Sequence, residues 1–264
     1  MGLTKNCSRF LFYAKSLGVS FENTLMLGRL TLFATKEDIR NDLALFKSDK
    51  KITDIKFTDT YSEPLFELLG AVATDSMDYS DYEKATILHD LNNPIPDNLK
   101  GKYSAVVDGG TIEHVFNFPV AIKNCMEMLR VGGHYLGITP ANNTMGHGFY
   151  QFSPELFFNI FTADNGFSVK KIIIVTEKAN AEFSDWYEVM DPAKVKSRIT
   201  VVNGQPTYLM VIAKKVKEAP VFATIPQQSD YQELWAIRKA LQENKVHANE
   251  GKLKYLTANS CPSH

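Results

Sequence analysis

The chain has 264 residues, 44% of them apolar and 22% charged, and a formal net charge of −1. That composition suits a soluble globular chain of one large domain, or one domain with an appendage, able to bury a sizeable core without staples. The near-zero charge removes any global attraction to nucleic acid or to acidic membrane surfaces. Cys7, Cys125 and Cys261 are far apart and form no CxxC pair, so neither a disulfide framework nor a zinc site is expected. The N-terminal stretch "MGLTKNCSRFLFYAKSLGVS" has its short apolar patch broken by Lys15, unlike a signal peptide, and no segment approaches transmembrane length. A reducing, cytoplasmic setting is the expectation, with no membrane partner.

In chain order, "FENTLMLG" (21–28) is a short apolar run closed by Gly28, which predicts a strand. "TKEDIRNDLALFKS" predicts a helix capped by Thr35, with Ile39, Leu43 and Phe46 on one face. "GAVATDSMD" and "ATILHDLN" read as strands ending near Asp78 and Asp90, and the two prolines of "NNPIPDNLKG" mark a loop. "YSAVVD" is a buried strand ending on Asp108, followed by Gly109 and Gly110. "FPVAIKNCMEMLRVGG" predicts an amphipathic helix stopped by Gly132 and Gly133, and "HYLGITP" is the next strand. "SPELFFNIFTADNG" predicts a helix with Ser153 as N-cap, Pro154 first and Gly166 as its stop. "FSVKKIIIVTE" and "TYLMVIAKKV" are the last strands, separated by a polar excursion over 178–206 with a short helix at "DPAKVKSR". "DYQELWAIRKALQENK" carries Leu234, Ile237 and Leu241 at helical spacing.

Alternating strands and helices predict a doubly wound α/β sheet, mostly parallel and covered by helices on both faces. Ligands of such sheets bind beyond the carboxyl ends of the strands, where strand order reverses. Three strand ends carry a carboxylate there: Asp78, Asp90 and Asp108. Such a group accepts hydrogen bonds from a ribose diol or an exocyclic amine, and equally often only caps a turn.

"KYSAVVDGGTIEHVFNFPVAIKNCMEMLRVGGHYLGITP" resembles the central part of class I S-adenosylmethionine (SAM)-dependent methyltransferases. That family follows an acidic strand end with an "EHv"-like turn, an amphipathic helix, a "GG" and another strand. The resemblance spans roughly residues 20–175 and is most specific over 86–140. It implies a seven-stranded Rossmann-like sheet in a domain over 1–220, followed by a helical extension over 221–264. SAM is the implied cofactor and S-adenosylhomocysteine its product. Asp78 and Tyr79 would stand at the ribose, Asp90 and Leu91 at the adenine, and Asp108, Gly109, Gly110 and Glu113 along the pocket floor. The family's glycine-rich first loop is reduced here to Gly28 in "LMLGRL", with Arg29 as a fork for the SAM carboxylate.

The loop "PANNTMGHGFYQFSP" (140–154) offers polar groups to a methyl acceptor. His147 is the candidate base, with His114 and Tyr150 as further candidates for the chemistry. Trp186 and Tyr187 read either as part of a lid or as small-core anchors. No His/Asp/Glu trio has metal-site spacing along the sequence, so no metal is expected. The expected activity is O-methylation of a small polar acceptor by a monomer or homodimer. Candidate acceptors are a sugar, a nucleotide-linked intermediate or a capsular precursor of the phosphoramidate type, by similarity to bacterial enzymes that decorate surface glycans. The alternative is a non-catalytic relative of the same fold that serves as a binding or scaffold protein.

Overall fold

The computed structural model describes residues 2–176, 184–195 and 201–243. Ten strands form: β1 (Gly2–Leu3), β2 (Asn23–Leu27), β3 (Thr31–Leu32), β4 (Ala73–Asp78), β5 (Ile87–Leu88), β6 (Tyr103–Asp108), β7 (Leu129–Asn142), β8 (Phe167–Thr176), β9 (Asp185–Glu188) and β10 (Thr207–Lys215). The main sheet has eight strands in the order β5-β4-β2-β6-β7-β10-β8-β9, and β1 pairs with β3 in a two-stranded sheet beside it. The first five strands of that order run parallel, while β10 is antiparallel to both β7 and β8. The expected seven strands are therefore exceeded by one, because β9 adds an antiparallel edge to β8.

Helices cover both faces. Along β6, Tyr103 and Val106 belong to one apolar cluster and Ala105 and Val107 to the other. Successive side chains of a strand point to opposite faces, so a fully buried strand feeds two cores. One core packs α1 (Lys5–Ser16), α2 (Lys36–Leu45) and α3 (Glu63–Leu68). The other packs α4 (Phe118–Met128) and α5 (Pro154–Ile160). α2 starts as expected: Thr35 accepts from the Asp38 amide, and Asp38 accepts from the Thr35 amide. That capping box contributes about 1 kcal/mol. Ser153 likewise accepts from the Glu155 amide at the start of α5.

Two stops lie elsewhere than the glycines suggest. α4 ends at Met128, and Gly132 and Gly133 lie inside β7. There β6 advances only from Tyr103 to Ala105 while β7 advances from Leu129 to His134. The glycines let this bulge fold back: Gly132 has φ +87°, and a Cβ on Gly133 would lie 2.9 Å from the Tyr103 carbonyl. α5 ends at Ile160, and Gly166 instead forms the turn into β8, where a Cβ would lie 2.4 Å from the Lys217 carbonyl.

The helix α1 had no counterpart in the sequence reading, although Cys7, Phe10, Leu11 and Ala14 follow helical spacing and are buried. Ser8 and Arg9 bond the buried Asp42 carboxylate at 2.9 and 3.0 Å, tying α1 to α2. In the excursion, Trp186 on β9 packs edge-on to Tyr13 of α1 with ring centroids 6.1 Å apart, as a small-core anchor. The short helix α6 (Pro192–Val195) lies in the "DPAKVKSR" segment, of which residues 196–198 lie outside the described part. Near the chain end, α7 (Ser229–Glu243) leaves Leu234, Trp235 and Ile237 exposed. Among the described residues no helix is long and apolar enough to cross a membrane.

His134 is buried near the start of β7, and its Nδ1 has no hydrogen-bond partner among the described residues. Burial, reinforced by Lys214 and Lys170, pushes its pKa down to about 4. A depressed folded-state value favours the neutral ring, so its stabilisation is present above the ordinary pKa near 6.5 and is lost as pH falls toward 4. His134→Gln should therefore flatten the acid limb of a urea-stability profile between those two values, by on the order of 2 kcal/mol.

Candidate functional site

Strand order reverses between β2 and β6: the chain runs outward from β2 through β4 to β5, then returns to β6 on the other side. The crevice of such a sheet lies at this switch point, beyond the carboxyl ends. Leu27 and Asp108 face each other there in register. The Asp108 carboxylate is fully buried and organises the turn: Oδ1 accepts from the Thr111 amide at 2.8 Å and Oδ2 from the Tyr135 hydroxyl at 3.0 Å. The Thr111 hydroxyl then donates to the Leu27 carbonyl at 2.7 Å, stitching the two strand ends together. Burial raises the Asp108 pKa, and the surrounding amides and Tyr135 oppose the shift.

Gly109 and Gly110 are required by this chain's own neighbours. A Cβ on Gly109 would lie 2.9 Å from Leu30 Cδ1, and one on Gly110, where φ is +97°, would lie 3.1 Å from Glu113 Oε1. Both glycines also line a cavity of about 310 Å³ beyond the ends of β6, β7 and β8, closed on one side by Thr4, Asn6 and Cys7. Of these N-terminal residues, the sequence pattern singles out only Cys7, as a cysteine outside any CxxC pair. The helical period of α1 was the signal that would have brought them forward.

Glu113 and His114 lie in a short 3-10 turn (Ile112–His114) that opens onto the same cavity. Glu113 is 1% exposed, and its Oε2 has no hydrogen-bond partner among the described residues. Burial and the neighbouring Asp108 raise its pKa. The loop after β7 brings His147 alongside, with Nε2 3.7 Å from Glu113 Oε1 and its ring centroid 5.3 Å from that of His114. Burial, then the nearby His147, lowers the His114 pKa. Tyr150 is differently placed: its hydroxyl donates to the Phe116 carbonyl at 2.6 Å, and its ring packs on Phe118 and Phe152. It braces the loop, and its proton is already committed, which disfavours it as the base.

The other half of the crevice has a different character. Gly28, at φ +72°, donates its amide to the Met77 carbonyl at 2.7 Å, so the single glycine makes the turn out of β2. Arg29 is paired: Nε donates to Glu63 at 2.7 Å, NH1 to the Glu83 carbonyl at 3.2 Å, and the guanidinium lies 3.9 Å from the Tyr61 ring centroid. A ligand carboxylate would have to displace Glu63, which disfavours the expected fork. Asp78 uses Oδ1 to accept from the Ser80 amide, while Oδ2 has no partner among the described residues. Tyr79 beside it is 78% exposed. Asp90 holds its own turn, accepting from the Asn92 amide and from the Asn92 and Asn93 side chains, and the Asn92 bonds lower its pKa. Leu91 is buried in the core. For a nucleoside cofactor, Asp78 Oδ2 as an acceptor for ribose hydroxyls and the exposed Tyr79 ring as a stacking face are a fitting pair, while Asp90 fits only by sharing oxygens already in use.

No family model and no curated protein matches the sequence. Among solved structures, the chain is similar to a SAM-dependent methyltransferase of Thermotoga maritima at 11% identity and a TM-score of 0.41, over 79% of this chain and 89% of that one. It is similar to the 1,6-didemethyltoxoflavin-N1-methyltransferase of Burkholderia thailandensis, solved with its substrate and S-adenosylhomocysteine, at 10% identity and 0.41, over 81% and 78%. A SAM-dependent methyltransferase of Archaeoglobus fulgidus follows at 7% and 0.41, over 80% and 94%.

Tyr135→Phe removes one donor from a buried carboxylate and leaves the rest of its packing in place. It should cost about 1–3 kcal/mol, read as a lower urea midpoint with unchanged slope.

Proposed function

We propose that the protein is a SAM-dependent methyltransferase acting on a small polar acceptor, at oxygen. The observation that carries this reading is the sheet itself: a parallel set with its switch point between β2 and β6, an antiparallel β10 inserted between β7 and β8, and acidic residues at the ends of β4 and β6. A mostly parallel, doubly wound sheet with acidic strand ends is what the family resemblance leads one to expect. Asp78 would hold the ribose hydroxyls through its free oxygen, Tyr79 would flank the adenosine, and Gly28 would let the chain turn beneath it. When bound, SAM supplies an electrophilic methyl group on a sulfonium.

The remaining work falls to this chain's own residues, and for a displacement of this kind it is mostly positioning. The cavity beyond β6 and β7 presents Glu113, His114 and His147 to an acceptor. His147, half-exposed at the rim, is the group best placed to take a proton from an acceptor hydroxyl. A cavity of about 310 Å³ suits a small molecule, and a net charge of −1 favours that over a nucleic acid. A sugar, a nucleotide-linked intermediate or a capsular precursor fits these limits.

A second reading, a non-catalytic relative that binds or scaffolds, is favoured by two specific observations. Arg29 is neutralised by Glu63, and Gly28 is the only glycine of the first loop.

Calorimetric titration with SAM and with S-adenosylhomocysteine separates the two. The enzyme reading expects saturable binding of both, weakened at least about tenfold by Asp78→Ala. Absence of heat at millimolar ligand rejects it. Asp90→Ala should weaken SAM binding less than Asp78→Ala, since Asp90 already holds its own turn. His147→Ala should leave SAM affinity nearly intact and lower turnover about a hundredfold or more once an acceptor is in hand.

A further inference from the structure

Glu113, His114 and His147 converge although they are far apart or merely adjacent in sequence: one oxygen and two imidazole nitrogens lie within 4.8 Å of one another. The convergence is built by backbone. The Phe149 amide donates to the Glu113 carbonyl at 2.8 Å, and the Tyr150 amide to the same oxygen at 3.3 Å. Gly148 permits that contact: its φ is +82°, and a Cβ would lie 2.9 Å from the Glu113 carbonyl and 3.1 Å from His114 Nδ1. The loop is therefore clamped to the 3-10 turn, and His147, one residue before Gly148, is held over Glu113.

The carboxylate is the second, independent observation. Glu113 is 1% exposed and Oε2 has no hydrogen-bond partner among the described residues, while Oε1 stands 3.7 Å from His147 Nε2. A buried carboxyl group with an unsatisfied oxygen is costly unless something charged or hydrogen-bonding reaches it. The two imidazoles lie close enough to the Glu113 carboxyl group to share a ligand with it.

We infer that Glu113, His114 and His147 bind a divalent transition-metal ion of the zinc type in the cavity beyond β6 and β7. Two nitrogens and one carboxylate oxygen are the donor set of open, three-ligand sites for such ions. Ligand atoms on one tetrahedral ion stand about 3.3 Å apart, so the trio needs only a small closure, which the half-exposed His147 can make by a side-chain rotation. The ion's open positions would face the cavity. An acceptor hydroxyl bound there would lose its proton more readily, so the ion, with His147 among its ligands, would take over the proton-removing role given above to His147 as a free base. That last role rests on the methyl-transfer reading; the metal site does not.

The test uses the full chain, stripped with a chelator and titrated with Zn²⁺ alone by calorimetry, with Co²⁺ absorption as a second probe. One equivalent should bind, with a visible Co²⁺ band of low coordination number. His147→Ala, His114→Ala and Glu113→Gln should each weaken Zn²⁺ binding at least about tenfold and abolish that band, while His89→Ala leaves both unchanged. His147 is half-exposed, so that variant folds even if substitution of the buried Glu113 does not. Wild-type binding that is undetectable, or that survives His147→Ala and His114→Ala, overturns the site. Zn²⁺ binding without SAM binding keeps the site and rejects methyl transfer; SAM binding without Zn²⁺ binding does the reverse.

Discussion

The fold's functional end depends on one buried carboxylate. Asp108 sits where strand order reverses, with no solvent to screen it, and the Thr111 amide and Tyr135 hydroxyl hold it. An unpaired charge there would cost several kcal/mol, so the turn after β6 must take the one path that delivers those donors. That path carries Thr111 onto the Leu27 carbonyl, sets Gly110 at positive φ and aims Glu113 back toward the same interior. Burial and the neighbouring Asp108 raise the proton affinity of Glu113, the less compensated of the two because its Oε2 finds no donor among the described residues.

From this turn the crevice divides into two unlike halves. On the β2–β4 side, the chain's own groups have taken up much of the polar capacity: Arg29 with Glu63, Asp90 with its asparagines, and Gly28 with Met77. Asp78 keeps an oxygen free. On the β6–β7 side, the turn, the loop after β7 and the N-terminal segment enclose a cavity with unsatisfied and titratable groups on its wall. The Asn6 side chain reaches Ser184 at 3.0 Å, so the N-terminal helix also anchors the excursion that follows β8. A site of this kind is assembled from four distant parts of the chain, and rigid strands fix where each part ends.

Much of the architecture was legible from local pattern. "YSAVVD" became β6 to the residue, and Thr35 and Ser153 capped the helices they precede. These features depend on contacts within a few residues, where period and hydrogen-bonding chemistry leave little choice. The glycine stops were misleading for the same reason inverted. Gly133 is explained by the Tyr103 carbonyl and Gly166 by the Lys217 carbonyl, partners remote in sequence. α1 was legible in its period but lay in a segment weighed only for targeting.

The sequence by itself determined the alternation of strands and helices, the two buried faces of the central strands and the acidic strand ends. Side-chain spacing along one element carries that information. Tertiary structure alone decided which acidic groups are available and which are taken. It paired Arg29 with Glu63, tied Tyr150 to Phe116 and brought His147 over Glu113. Each of those outcomes is set by a partner more than thirty residues away, or by a backbone clamp such as that at Gly148, and no local periodicity encodes such a contact.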